Sequence, residues 1–267
     1  MDMRGTRQRV WWEIAIVLSL SLLPSALYAV LDLVELALAP APISDAQTQL
    51  NPVVSDTALL DTLTRVVRFF AGIAPVALVI WLLWSRRETG FARLGLRWRS
   101  AGDLGRGALL AAAIGVPGLA LYAVSRLLGL TVQVVAGDPT FQWDTVIALL
   151  LAAVRAALVE EVIVVAYLAL RLRALGWHPV AIVAASALLR GSYHLYQGVP
   201  MALGNVVMGI VFASAFLWLL RPKPQPGQPS TEPRRSRVLP LVIAHFLLDA
   251  ASFLGYPLAL ALFPDIF

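Results

Sequence analysis

The sequence predicts an all-α protein, a polytopic transmembrane helix bundle of about seven spans with a short C-terminal segment. Three observations carry that expectation. The 267 residues are 59% hydrophobic, where a soluble domain holds roughly 45–50%. Only 14% are charged, against about 25% in soluble domains, and the mean hydropathy is +0.78. The apolar residues also fall in blocks of about 20, the length one helix needs to cross a bilayer. The same figures exclude disorder, collagen and a nucleic-acid-binding domain, so the net charge of +5 is read as a reporter of membrane orientation.

The blocks follow in order. Arg4, Arg7 and Arg9 precede an apolar stretch over 10–39 that contains Pro24. It is too long for a signal peptide and reads as a first span, kinked or tilted. A polar linker without basic residues covers 40–56. The second span is expected over 64–85, a basic loop over 86–106, and the third span over 107–130. The loop 131–142 again has no basic residue. The fourth helix runs over 143–175 and is stopped by Gly176. The fifth starts at Pro179, a natural first-turn residue, and reaches about Tyr196. The sixth covers 201–220, a Pro-rich basic loop 221–237, and the seventh 238–254. The stretch 257–263 is too short to span alone. The expected organisation is 1–142 for the first three helices, 143–254 for a second bundle and 255–267 for the tail.

Alternate loops carry three, six, two and five basic residues, and the loops between them carry none. By the positive-inside rule this puts the N-terminus in the cytoplasm of an integral membrane protein. All but one of the basic residues are Arg, Lys223 being the exception. That reads as the codon bias of a GC-rich, bacterial genome. No internal repeat marks a secondary transporter.

Cysteine is absent, which removes thiolate catalysis and Cys-based zinc sites. Chemistry must come from ionisable groups inside apolar blocks, where a charge costs about 2.5–3.5 kcal/mol on translocon scales. The C-terminal half holds Arg155, Glu160, Glu161, Arg190, His194, His245 and Asp249. Glu13, Asp32, Glu35, Arg65, Arg68 and Arg126 lie near span ends or in the long first helix, where snorkelling accounts for them. Glu160 and Glu161 are adjacent and project about 100° apart on an α-helix. One can face a cavity while the other holds a neighbouring helix, or both can pair with Arg155 and Arg190. His245 and Asp249 are spaced i, i+4 on one helix face, which suits two ligands of one metal, an imidazole oriented by a carboxylate, or a simple interhelical pair. His178 lies in the turn Gly176-Trp177-His178-Pro179 and reads as interfacial. Ser192 lacks a nucleophile elbow around it.

Three blocks in this order resemble the CPBP family of intramembrane proteases, which includes type II CAAX prenyl endopeptidases and bacteriocin-processing or self-immunity proteins. The family pattern is Glu-Glu-x-x-x-Arg, Phe-x-x-x-His and His-x-x-x-Asn or Asp. Here the blocks are Glu160-Glu161 to Val165, Arg190 to His194, and His245 to Asp249. The resemblance covers 143–254. Two positions depart from it: Val165 stands at the family's Arg and Arg190 at its Phe. The two changes read as linked, with Arg190 supplying from the fifth helix the cation that the family carries on the fourth.

The resemblance implies an intramembrane endopeptidase acting on a membrane-anchored peptide or protein. Glu160, Glu161, His194, His245, Asp249 and Arg190 would be its site. Glu160 with His194 would activate water. His245 and Asp249 would stabilise the oxyanion, or join His194 in holding a divalent metal such as zinc; a metal-free glutamate mechanism is equally compatible. The alternative is a non-catalytic membrane protein of the same fold, an immunity, scaffold or regulatory protein. The expected partners are the lipid bilayer and that substrate, with no nucleic acid; the oligomeric state is left open.

Overall fold

A computed structural model of the chain describes residues 3–40, 45–50, 53–55, 57–136, 143–219 and 237–262. Its elements are α1 (Met3–Ser21), α2 (Leu23–Leu38), β1 (Gln47–Leu50), α3 (Ala58–Leu82), α4 (Gly90–Leu94), α5 (Ala101–Leu127), β2 (Gln133–Ala136), α6 (Trp143–Leu158), a π-helical segment (Val159–Tyr167), α7 (Leu168–Ala174), α8 (Pro179–Ser192), a 3-10 turn (Leu195–Gln197), α9 (Val199–Leu219) and α10 (Leu239–Leu262). The architecture is helical. Large apolar side chains cover the outside, among them Leu20, Leu31, Leu109, Val116, Leu119 and Trp218. Water does not tolerate so continuous an apolar exterior, and the protein is an integral membrane protein. Among the described residues three helical stretches are long and apolar enough to cross a membrane, Leu59–Leu82, Ala101–Leu127 and Val199–Trp218. A fourth crossing is available if Thr6–Ser21 and Leu23–Glu35 count together.

Several boundaries differ from the sequence reading, each for a local reason. The stretch over 10–39 is two helices meeting at 57°. The break falls at Leu22, just before Pro24, which occupies the first turn of α2 where its missing N–H costs nothing. The basic loop 86–106 contains α4, whose N-cap Thr89 accepts from the Ala92 amide at 3.2 Å and whose C-cap Gly95 sits at φ 71°. The linkers 40–56 and 131–142 meet in one short parallel ladder, Gln47 opposite Gln133 through Leu50 opposite Ala136. Parallel strands need a long crossover, and α3 to α5 supply it. The fifth helix ends at Ser192 instead of Tyr196, so His194 lies beyond it. α10 runs through Pro257 to Leu262, replacing the expected end at 254 and the separate tail. A bilayer-embedded helix accepts proline more readily than a soluble one. The Pro-rich loop over 220–236 and the last residues, 263–267, lie outside the described residues.

Small residues set how closely the helices approach. A Cβ at Gly209 of α9 would stand 2.7 Å from the Ala187 Cα of α8. Cβ atoms at Gly107 and Gly115 of α5 would meet Ile243 and Leu248 of α10 at 2.6 and 2.8 Å. Such glycine seams are the ordinary means of close helix packing in lipid. They bring α8 and α10, the carriers of Arg190 and His245, against their neighbours. The buried core gathers around the π segment: Val162, Ile163, Val164, Val165, Ala166 and Tyr167 are all without exposure.

The candidate active site

The π segment carries both glutamates. Its i+5 turns are wider than α turns and recur at functional sites. Ser186 of α8 donates to the Val164 carbonyl at 2.8 Å, satisfying a backbone acceptor within the altered stretch. Glu161 is fully buried, and the Glu160 side chain retains 12% exposure.

Arg190 projects from α8 into the space between the π segment and α10. Its Nη2 lies 2.5 Å from Glu161 Oε1, 2.9 Å from Glu160 Oε2 and 2.9 Å from His245 Nδ1. One nitrogen therefore joins groups from three helical elements. The guanidinium rests on the Phe212 ring of α9, 5.1 Å from its centroid, a cation–π contact strengthened by desolvation. The Tyr193 hydroxyl donates to Glu160 Oε2 at 2.9 Å. His245 Nδ1 also stands 2.8 Å from Glu161 Oε1, and its Nε2 faces Asp249 Oδ2 at 3.4 Å. His194 Nδ1 lies 2.9 Å from the Arg190 carbonyl. A carbonyl can only accept, so Nδ1 donates and Nε2 is left with its lone pair. The His194 ring lies against Tyr193, with centroids 4.8 Å apart.

Of the residues singled out from the sequence, Glu160, Glu161, Arg190 and His245 are thus in direct contact. Asp249 joins through His245. His194 joins through the Arg190 backbone and the Tyr193 ring, and it interacts electrostatically with Glu160. Arg155 makes no ion pair among the described residues; its side chain lies against Gly72 of α3. Ser192 donates to the Leu189 carbonyl at 2.7 Å, and His178 caps α8, accepting from the Val180 amide at 3.4 Å.

Two carboxylates share one guanidinium, and Asp249 adds a third acid nearby. Three atoms in the centre are buried without a hydrogen-bond partner among the described residues: Glu161 Oε2, Arg190 Nε and Arg190 Nη1. Native interiors leave few such atoms unpaired. In this arrangement the residues do not suit a divalent metal. A guanidinium nitrogen fills the point where Glu160, Glu161 and His245 converge, both His245 nitrogens already face partners, and among the described residues no three His, Asp or Glu side chains gather as a ligand set.

Tyr193 and Phe212 were not among the expected site residues. Tyr193 lies inside the Arg190-to-His194 block, and its hydroxyl in an apolar segment was a usable signal. Phe212 is one apolar residue in an apolar helix and offered none.

The comparisons with known proteins bear on this same region. Residues 142–251 match the protein family Type II CAAX prenyl endopeptidase Rce1-like. No curated protein and no solved structure matches the chain. The stretch that supplies the two glutamates, Arg190 and His245 lies within this match, which supports a protease of the CPBP family.

Proposed function

We propose that this protein is an intramembrane endopeptidase that hydrolyses a peptide bond of a membrane-anchored substrate. The observation that carries this reading is the convergence of Glu160, Glu161 and His245 on one buried arginine nitrogen inside the Rce1-like domain. Glu160 is the more accessible of the two glutamates and acts as general base. A water held between its carboxylate and His194 Nε2 loses a proton to Glu160 as its oxygen bonds to the scissile carbonyl carbon. The carbonyl π electrons move onto the oxygen, and the oxyanion is stabilised by the Arg190 guanidinium, whose Nε and Nη1 have no partner among the described residues. The proton then passes to the amide nitrogen, the C–N bond breaks, and an acid and an amine leave. Glu161 and Asp249 hold Arg190 and His245 in position. No metal takes part in these steps.

The test is cleavage in vesicles. Wild-type protein is reconstituted with a library of membrane-anchored peptides, and products are read by mass spectrometry. New termini should form with wild-type protein and be lost with Glu160→Gln. If the library stays intact, or the Glu160→Gln variant cleaves as well as wild type, the endopeptidase reading is wrong. A non-catalytic scaffold or regulatory role would then account for the buried cluster.

We further propose seven crossings of a bacterial cell membrane with the N-terminus in the cytoplasm, supported by the alternation of basic loops. The chain has no native cysteine, so single-cysteine labelling needs no background removal. Arg97→Cys should react with an impermeant maleimide only after permeabilisation, and Ser55→Cys in intact cells. The reverse result would invert the topology.

A further inference from the structure

Two arginines beside the centre take no part in it. Arg68 belongs to α3 and Arg155 to the end of α6. The Arg155 side chain crosses to α3 and lies on Gly72, where a Cβ would stand 2.5 Å from its Cδ and 3.4 Å from its Nη1. Arg68 is four residues before Gly72, on the same face of α3. The two side chains therefore share one patch, and the charge of Arg68 acts on Arg155. Arg155 also interacts electrostatically with Glu160 and Asp249. Among the described residues neither cation has a hydrogen bond or an ion pair, whereas Arg65, one turn earlier, is tied to Asp61 at 2.5 Å.

Two like charges that share one patch repel each other. An anion between them would relieve both. Depth along the helices tells which kind. At about 1.5 Å per residue along α3, Arg68 lies about 21 Å from Leu82, and Arg155 stands in the last turn of α6 ahead of the π segment. Glu160 follows it on the π segment. The pair thus sits farther along α6 than the glutamates, with Arg68 exposed and Arg155 half-buried. A lipid phosphate lies at the edge of the bilayer, whereas Arg155 sits between α3 and α6 within the electrostatic field of the centre.

We propose that Arg68 and Arg155 receive a carboxylate of the substrate, on the α6 side of the peptide bond presented to Glu160. The guanidinium fork matches a carboxylate in two-point contact. The group is either the substrate's own C-terminus or an acidic side chain near the scissile bond. This inference rests on the endopeptidase reading for the word substrate, but not for the anion.

Binding tests it without cleavage. Glu160→Gln protein in phosphatidylcholine nanodiscs is titrated with three dansyl-labelled apolar dodecapeptides. One ends in a free acid, one in an amide, and one in an amide with a single internal Glu. The free-acid or the Glu probe should bind about tenfold more tightly than the neutral amide, and which of them does so identifies the carboxylate. The gap should close when Arg68→Gln or Arg155→Gln is added. Equal affinity for all three probes overturns the proposal, and the comparison between probes needs no arginine variant to fold. So does an acid preference that survives both substitutions. Phosphatidylglycerol binding that falls in the two variants, with probes bound alike, would assign the pair to lipid and overturn it too. An intact acid preference with no cleavage by wild-type protein would reject the endopeptidase and leave the carboxylate site standing.

Discussion

At the Tyr167 end of the π segment, Glu13 of α1 accepts from the Tyr167 hydroxyl at 3.0 Å and from Arg171 Nε at 2.7 Å. Arg171 also reaches the Leu82 carbonyl at 3.3 Å and stacks over the Tyr167 ring. At the Glu160 end, Arg190 meets two carboxylates and an imidazole, and three buried atoms have no partner among the described residues. Both groupings join an arginine to glutamate inside apolar surroundings. The first has one acid for one base, with the acid's contacts met by protein. It ties α1 to the π segment and to α7, and α3 to α7, and behaves as a fastening. The second is crowded with acid and incomplete. A packing device has no use for that surplus, because an isolated pair would hold the helices with less desolvation.

The comparison breaks most sharply on Glu160→Gln against Glu13→Gln. Glu160→Gln should lower peptide hydrolysis by about 10²–10⁴-fold while the thermal unfolding midpoint stays near wild type. Full activity in that variant would make the two groupings equivalent. Next comes Arg190→Phe, which leaves Glu161 buried without its cation. A loss of about 3–5 kcal/mol in stability is expected, with loss of activity. Adding Val165→Arg should restore part of both if the cation is only relocated between helices. A double variant no better than the single would refute that relocation.

Glu13→Gln should act on stability alone, by about 1–3 kcal/mol, read as a lower midpoint in detergent with cleavage unchanged below it. A comparable fall in cleavage at temperatures where the variant is folded would give this end a share in function. The smallest effect is expected from EDTA, which should leave hydrolysis unchanged because a guanidinium holds the convergence point. Inhibition reversed by zinc would mean that a metal displaces Arg190.

The glutamates, Arg190, His245 and Asp249 were legible because charge inside an apolar run is costly and so conspicuous. Their meeting was legible in part, since Arg190 at the family's Phe position and Val165 at its Arg position invited a compensating cation. Tyr193 was passed over although its hydroxyl inside an apolar block was a signal, and Phe212 was not legible, because phenylalanine is ordinary in lipid-facing helices. Glu13 was misread as a snorkelling residue. Its partners lie 154 and 158 residues away, and nothing in the local sequence announces them. Arg65 was misread in the same way, although Asp61 stood one turn before it. Helix ends failed where a single residue decides, as at Ser192, while the helical class followed directly from composition.

The π segment also sets the phase between its two ends. A helical run of constant pitch would fix Glu160 and Tyr167 at one relative angle. The wider turns shift it, so that Glu160 and Glu161 reach Arg190 while Tyr167 and Arg171 reach Glu13. Deleting one residue from the run, such as Ile163, would turn one end against the other by the rotation of one residue. One grouping could keep its partners and the other would lose them. The fastening and the centre are geared together through nine residues, and a length change there would act as a rotation and not as a gap.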